Sequence, residues 1–188
     1  MKIGVKIRFN SPVILVFVAF CFGAMLLNIL TGGNLNDLLF VTYHSSLQDP
    51  LTYVRFFTHV LGHADWSHLI GNMMYILLLG PLLEERYGGR KILVVIILTA
   101  LATGVVNYLL FPGVALCGAS SICFAFILMA SFTGFKNGQI PVTFILVAIL
   151  YLGQEIYQGI FVSDNISNTA HLVGGLVGSV IGYRFGRR

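Results

Sequence analysis

The sequence predicts an all-α, polytopic membrane bundle of six transmembrane helices. Three observations predict it: too little charge to wet a globule, six apolar stretches of spanning length, and Lys and Arg gathered on one side. Of 188 residues, 57% are hydrophobic and 10% charged, with a mean hydropathy of +0.89. A soluble domain carries about 25% charged residues. The 11 Lys and Arg and 7 Asp and Glu cannot hydrate a surface of this size, so lipid must be the solvent for most of it.

The apolar stretches cover residues 12 to 31, 67 to 83, 91 to 111, 117 to 134, 140 to 159 and 168 to 185. A spanning helix needs roughly 20 residues and can be as short as about 17. The first stretch follows Lys2, Lys6 and Arg8 in the manner of a signal peptide. It is long enough to span and has no small-x-small cleavage site, so it reads as a retained first span. The fourth is short and follows Phe111, Pro112 and Gly113. There the chain is expected to turn back below the interface, which a membrane tolerates only where the backbone is buried in protein or lines a wet cavity.

With an inside amino terminus, Lys2, Lys6, Arg8, Arg86, Arg90, Lys91, Lys136, Arg184, Arg187 and Arg188 fall inside and Arg55 alone falls outside. That asymmetry puts both termini in the cytoplasm. The connection of residues 32 to 66 then lies outside. Its aromatic residues predict a segment resting in the outer leaflet, within a single domain of residues 1 to 188.

The net charge of +4 does not point to nucleic acid, because the basic residues sit in small groups at segment ends and form no patch interleaved with aromatics. Cys21, Cys117 and Cys123 lie in or beside apolar stretches without framework or CxxC spacing. They read as small buried apolar residues.

Spans two, four and six all enter from the outer side, so residues near their amino ends share one depth. Those ends carry His68 and Asn72, Ser120, and His171. On span six, His171, Gly174, Gly178 and Gly182 form one stripe, and glycines at every fourth position let a neighbouring helix approach closely. Span four offers Ser120, Phe124, Ile127, Ser131 and Gly134 on one face. If these stripes meet, Ser120 opposes His171 and Ser131 opposes Gly182.

Singly, these residues have plainer readings. Gly118, Ala119, Ser120 and Ser121 suit helix contacts, and Asn72 suits an interhelical hydrogen bond. His171 is harder to assign to packing, because ionisable groups inside a membrane are rare. Together at one depth they form a chemical set. A serine hydroxyl becomes nucleophilic when a base within hydrogen-bond reach takes its proton, and a neutral imidazole suits that task. His68, Asn72 and the Ser120 amide at a helix start can donate to a developing oxyanion.

These residues resemble the rhomboid intramembrane proteases. HADWSHLIGNMMYILLLGPLLEERYG at 63 to 88 resembles their second span with its HxxxN motif, CGASS at 117 to 121 their GxSG nucleophile motif, and AHLVGGLVG at 170 to 178 their histidine and GxxxG motif. Arg55 with Phe56, Phe57 and Thr58 resembles the arginine motif of their first outer loop. The resemblance implies Ser120 as nucleophile, His171 as general base, His68 and Asn72 as oxyanion helpers, and Phe124 packing on the histidine ring. It implies a dyad needing no metal or cofactor. Two positions depart from the family pattern. Ser121 stands for a usual glycine, where it would crowd spans four and six or itself be the nucleophile, and Val54 stands for a usual tryptophan.

Other polar groups suit different work. His59 and His63, with Asp65 and His68 nearby, make a metal site conceivable, but Val60 stands where an HExxH zinc motif needs glutamate. Glu155, with Gln154 and Gln158, reads as a wet interfacial carboxylate and not as a third catalytic member. Glu84, Glu85 and Arg86 read as a cytoplasmic salt-bridge turn, with one carboxylate available to tie helices together.

The expected function is therefore an intramembrane serine endopeptidase. Its partners would be transmembrane substrates with helix-weakening Gly or Pro near the cut, and membrane lipid. The alternative is a catalytically inactive relative that binds transmembrane helices. A transporter is disfavoured, because the sequence displays no evident inverted repeat and the polar layer sits toward one side. The small architecture suits a bacterial cytoplasmic membrane.

Overall fold

The computed structural model describes residues 9–132, 139–161 and 168–186. The chain is all-helical in the order α1 (Pro12–Leu30), a π-helical turn (Asn36–Phe40), α2 (Pro50–Thr58), α3 (Trp66–Tyr87), α4 (Gly89–Leu110), α5 (Ser120–Ser131), α6 (Val142–Phe161) and α7 (Asn168–Gly186). Among the described residues there is no named strand, but an isolated antiparallel bridge joins Thr42 and Leu116.

Among the described residues, three helices are long and apolar enough to cross a membrane on their own terms: α1, α3 and α4. The fourth apolar stretch yields a helix of only 12 residues, α5, about 18 Å long at 1.5 Å per residue. It begins later than the sequence indicates because residues 111–119 run as irregular chain. It need not match a bilayer's thickness, since it is wrapped by α3, α4, α6 and α7 and buries Ile122, Cys123, Ala125, Phe126 and Met129.

The α1 and α3 helices are joined by an unusual cap. The Ser11 side chain makes no capping bond. Instead both carboxylate oxygens of Glu84, near the far end of α3, accept from the first free amides of α1, Val13 N–H at 3.1 Å and Ile14 N–H at 3.0 Å. The first N–H groups of a helix have no intrahelical acceptor, and a carboxylate there also meets the positive end of the helix dipole. Glu84 is the carboxylate that ties helices together.

The closest helix pair is α5 with α7. A Cβ added to Gly174 would overlap the carbonyl of Ser121, one added to Gly178 would overlap the carbonyl of Ala125, and one at Gly182 would lie 3.2 Å from the Met129 Cα. The row on α5 that meets the glycines is thus Ser121, Ala125 and Met129. This corrects the register expected from sequence. Ser120 does oppose His171, but Ser131 bonds its own Ile127 carbonyl at 2.9 Å, and Gly182 faces Met129 and Phe132. Two rows of spacing four interdigitate, while the expected row mixed steps of three and four and drifts out of the contact. The expected Gly134 lies outside the described residues.

Residues 32 to 66 form the compact segment carrying the π-helical turn and α2. Arg55 holds it together. Its Nε donates to the Leu38 carbonyl at 3.0 Å, its Nη1 reaches Asp49 at 3.3 Å, and its guanidinium stacks over Tyr43 at 4.8 Å. Val54, beside it on α2, is exposed.

The glycine contact makes a stability prediction. Gly178→Val should lower the unfolding free energy in detergent by at least about 1–3 kcal/mol, the usual range for overpacking, because its neighbour is backbone that cannot step aside. Gly153→Val, where nothing lies within 4 Å, should leave the thermal unfolding midpoint nearly unchanged. Equal midpoints for the two variants would contradict the contact.

Candidate active site

The amino ends of α5 and α7 meet at the rim of a cavity of about 670 Å3 lined by Ala64, Asp65, Ser67, His68, Asn72, Ala115, Leu116, Cys117, Ser120 and His171. His171 Nε2 lies 2.8 Å from Ser120 Oγ. Phe124, one turn along α5 from Ser120, stacks its ring on the imidazole with centroids 4.3 Å apart and planes 10° apart. Tyr151 of α6 meets the same phenyl edge-on at 4.5 Å. The imidazole is therefore held in plane by packing, with its Nε2 turned to the hydroxyl.

All four polar groups singled out in the sequence come together here. His68 and Asn72, one turn apart on α3, both line the cavity. Asn72 is 7% exposed. Its Oδ1 and carbonyl face the Cys123 thiol at 3.7 and 3.5 Å, and its Nδ2 has no partner among the described residues. A buried amide donor without a partner is costly, and this one sits in the cavity wall. Ser120 opens α5, where the first N–H groups are likewise without intrahelical acceptors.

Gly118 sets the entry to the serine. Its φ of +118° lies in the region that favours glycine, and a Cβ there would lie 2.6 Å from the His68 ring. Gly174 and Gly178 act at a distance by setting the α5 to α7 approach. Ser121 is buried with its Oγ unpartnered among the described residues. It does not crowd the interface, since the part of Ser121 under Gly174 is its backbone.

The irregular stretch before Ser120 is tied down by residues whose part was not read from sequence. Thr42 and Leu116 exchange both backbone bonds at 2.9 Å, and Gly118 N–H donates to the His59 carbonyl at 2.9 Å. Ala119 N–H points to His63 Nε2 at 3.5 Å, while His63 Nδ1 meets the Leu61 carbonyl at 3.2 Å. That pattern suits the tautomer with its proton on Nδ1. The His59 ring reaches the Ala100 carbonyl at 3.1 Å. These two histidines, considered above as metal ligands, instead bond to backbone. Among the described residues no group of three His, Cys, Asp or Glu is placed to hold a metal. The i, i+4 pair was the available signal, but nothing in it names a backbone partner distant in sequence. The side chain of Glu155 lies outside the described residues.

A family model described as Rhomboid domain matches residues 50–188. The chain belongs to the rhomboid family. It is similar to Rhomboid-related protein 2 of Mus musculus, 30% identical over 73% of this chain and 52% of the relative. It is also similar to Rhomboid protease GlpG of Salmonella paratyphi A, 26% identical over 69% of this chain and 47% of the relative, and to Rhomboid-related protein 1 of Caenorhabditis elegans, 28% identical over 69% and 39%. The chain thus spans about half the length, or less, of these relatives. Family membership and the apolar helices make it an integral membrane protein.

The buried histidines of this rhomboid chain give its stability a pH dependence. Burial pushes both His59 and His63 from the ordinary 6.5 to about 4, with the neighbouring His68 adding to the effect on His63. Between those values the unfolded chain binds more protons than the folded one. Stability is complete above about pH 6.5 and falls toward pH 4, by up to about 1.4 kcal/mol per histidine per pH unit. Thermal unfolding in detergent from pH 7 to 4.5 should show this slope, and His63→Asn should flatten it. An unchanged slope in that variant would assign the dependence elsewhere.

Proposed function

We propose that the protein is an intramembrane serine endopeptidase that uses Ser120 and His171 as a dyad to cleave transmembrane segments of other proteins. The observation that carries this reading is the 2.8 Å approach of His171 Nε2 to Ser120 Oγ at the edge of a cavity. Ser121 is a weaker candidate nucleophile, because its hydroxyl is buried and does not line that cavity.

In this mechanism Ser120 Oγ attacks the scissile carbonyl carbon while His171 Nε2 takes its proton. The tetrahedral oxyanion accepts from the Ser120 amide, Asn72 Nδ2 and the His68 ring. His171 then gives its proton to the leaving amine, and the peptide C–N bond breaks to leave an acyl-Ser120 ester. Water, deprotonated by His171, attacks the ester carbon; the C–Oγ bond breaks, His171 returns the proton to Ser120 Oγ, and the new carboxyl end of the substrate leaves. Phe124 keeps the imidazole in the orientation each transfer needs, and no metal or cofactor takes part.

The rest of the reading follows from the same frame. We take α1, α3, α4, α5, α6 and α7 as six spans of one domain covering residues 1 to 188, with both termini cytoplasmic. The distribution of Lys and Arg supports this orientation. The dyad then lies toward the outer side, beneath the membrane-associated segment of residues 32 to 66. Substrates need local helix weakness, from Gly or Pro, to present a carbonyl to the serine. We propose a bacterial cytoplasmic membrane as its location; the matched relatives come from a bacterium, a mouse and a nematode.

The test combines a fluorophosphonate probe with cleavage of a transmembrane substrate in liposomes. Wild type should be labelled and should cleave. Ser120→Ala and His171→Ala should lose both, with cleavage down by about 10³-fold or more, and Asn72→Ala should cut kcat by roughly 10²–10³-fold. Full cleavage by Ser120→Ala would refute the mechanism. An unlabelled, inactive wild type that still binds transmembrane helices would identify an inactive relative.

A further inference from the structure

At the end of the bundle away from Ser120, a cleft of about 480 Å3 opens between the amino end of α6 and the carboxyl end of α7, a size usual for small-molecule sites. Phe132, just past the end of α5, is its buried floor. That ring packs on Phe144 of α6 with centroids 3.9 Å apart and meets Tyr183 of α7 edge-on at 6.4 Å. Ile140 and Val180 add apolar walls, and both are exposed.

Arg184 lines the same cleft. It is exposed and has no ion-pair partner among the described residues. The next residue, Phe185, turns the other way, onto Tyr87 of α3 at 5.9 Å and Lys91 of α4 at 4.7 Å, which leaves Arg184 on the side of α6. Among the described residues no Asp or Glu lines the cleft. Glu84, at the near end of α3, is taken up by the α1 amides. The sequence adds charge of the same sign: Lys136 belongs to the connection between Phe132 and Ile140, both of which line the cleft, and Arg187 and Arg188 follow α7.

An arginine in the last turn of a helix also suits the helix dipole. That alone does not set it beside an aromatic floor in a cleft between two membrane helices, and basic pockets of this kind bind anionic lipid head groups. A free anion would use the cation and leave the apolar walls empty. A neutral lipid would use the walls and leave the cation unmatched.

We infer that this cleft binds an anionic phospholipid, its phosphate against the Arg184 guanidinium and part of one acyl chain along Ile140, Phe144 and Val180. In the orientation proposed above, this end reaches the cytoplasmic leaflet, where anionic lipids give the surface its negative potential. The site is separate from the protease reading, since none of its residues lines the cavity beside Ser120.

The experiment places a fluorescent reporter in the cleft of the full-length protein. Trp66 is the single tryptophan and opens α3, so Tyr183→Trp in a Trp66→Phe background reports from the cleft alone. In phosphatidylcholine liposomes, brominated phosphatidylglycerol should quench this reporter at an about fivefold lower mole fraction than brominated phosphatidylcholine, the preference that one basic residue near an anionic lipid supplies. Arg184→Gln should abolish that preference and Arg184→Lys should keep most of it. Leu176→Trp in the same background, exposed on α7 outside the cleft, should show none. Equal quenching of the Tyr183→Trp reporter by the two lipids would overturn the site, whatever the Arg184 variants do. An equal preference at Leu176→Trp would overturn it too, in favour of a diffuse anionic layer around the protein. Inorganic phosphate that erased the preference beyond chloride of equal ionic strength would replace the lipid by a free anion.

Discussion

The structure depends on a contact between two backbones. Gly174 and Gly178 of α7 lie directly on the carbonyls of Ser121 and Ala125, closer than any side chain would permit. Lipid offers no hydrophobic drive for helices to associate, so close van der Waals contact of this kind must supply it. Once α7 is seated on this row, the residues just before it on each helix are brought together. His171 meets Ser120, and Phe124 finds the face of the imidazole.

A second constraint is the satisfaction of buried backbone. The chain before Ser120 is irregular, and irregular backbone deep in a membrane protein must find partners within the protein. Residues 32 to 66 provide them through Thr42, the His59 carbonyl and the His63 ring. That segment in turn is organised by Arg55, whose donors close it around Leu38 and Asp49. The outer segment is thus part of the architecture of the serine's approach, as well as a cover for it. The same arrangement leaves the Asp65 carboxylate at the cavity rim while the Arg55 guanidinium is turned inward and paired.

Both constraints bear on the chemistry of a rhomboid-family chain. Ser120 and His171 are positioned by helix ends, where free amides are already present, and by ring stacking. The unpartnered Asn72 amide and the open cavity leave room for a polar group to enter. The Glu84 cap, at the far end of α3, fastens α1 without touching this layer. The helix tie and the polar cavity thus sit at opposite ends of α3.

The sequence by itself determined the lipid-solvated helical class, the approximate extent of the long helices, and the set Ser120, His171, His68 and Asn72. It could do so because hydropathy, charge asymmetry and helical spacing are local properties of the chain. Gly174 and Gly178 were legible from their spacing of four, and the placing of Phe124 on the histidine ring came from the family resemblance. Only the tertiary structure decided which row of α5 meets the glycines, since a shift of one residue leaves the sequence pattern equally regular. It also decided that His59 and His63 bond backbone, that Glu84 caps α1, and that α5 is a short helix entered from an irregular loop. These depend on partners far along the chain, 41 residues away for the His59 ring and 71 for Glu84 with Val13, and periodicity along one chain carries no information about such a pairing.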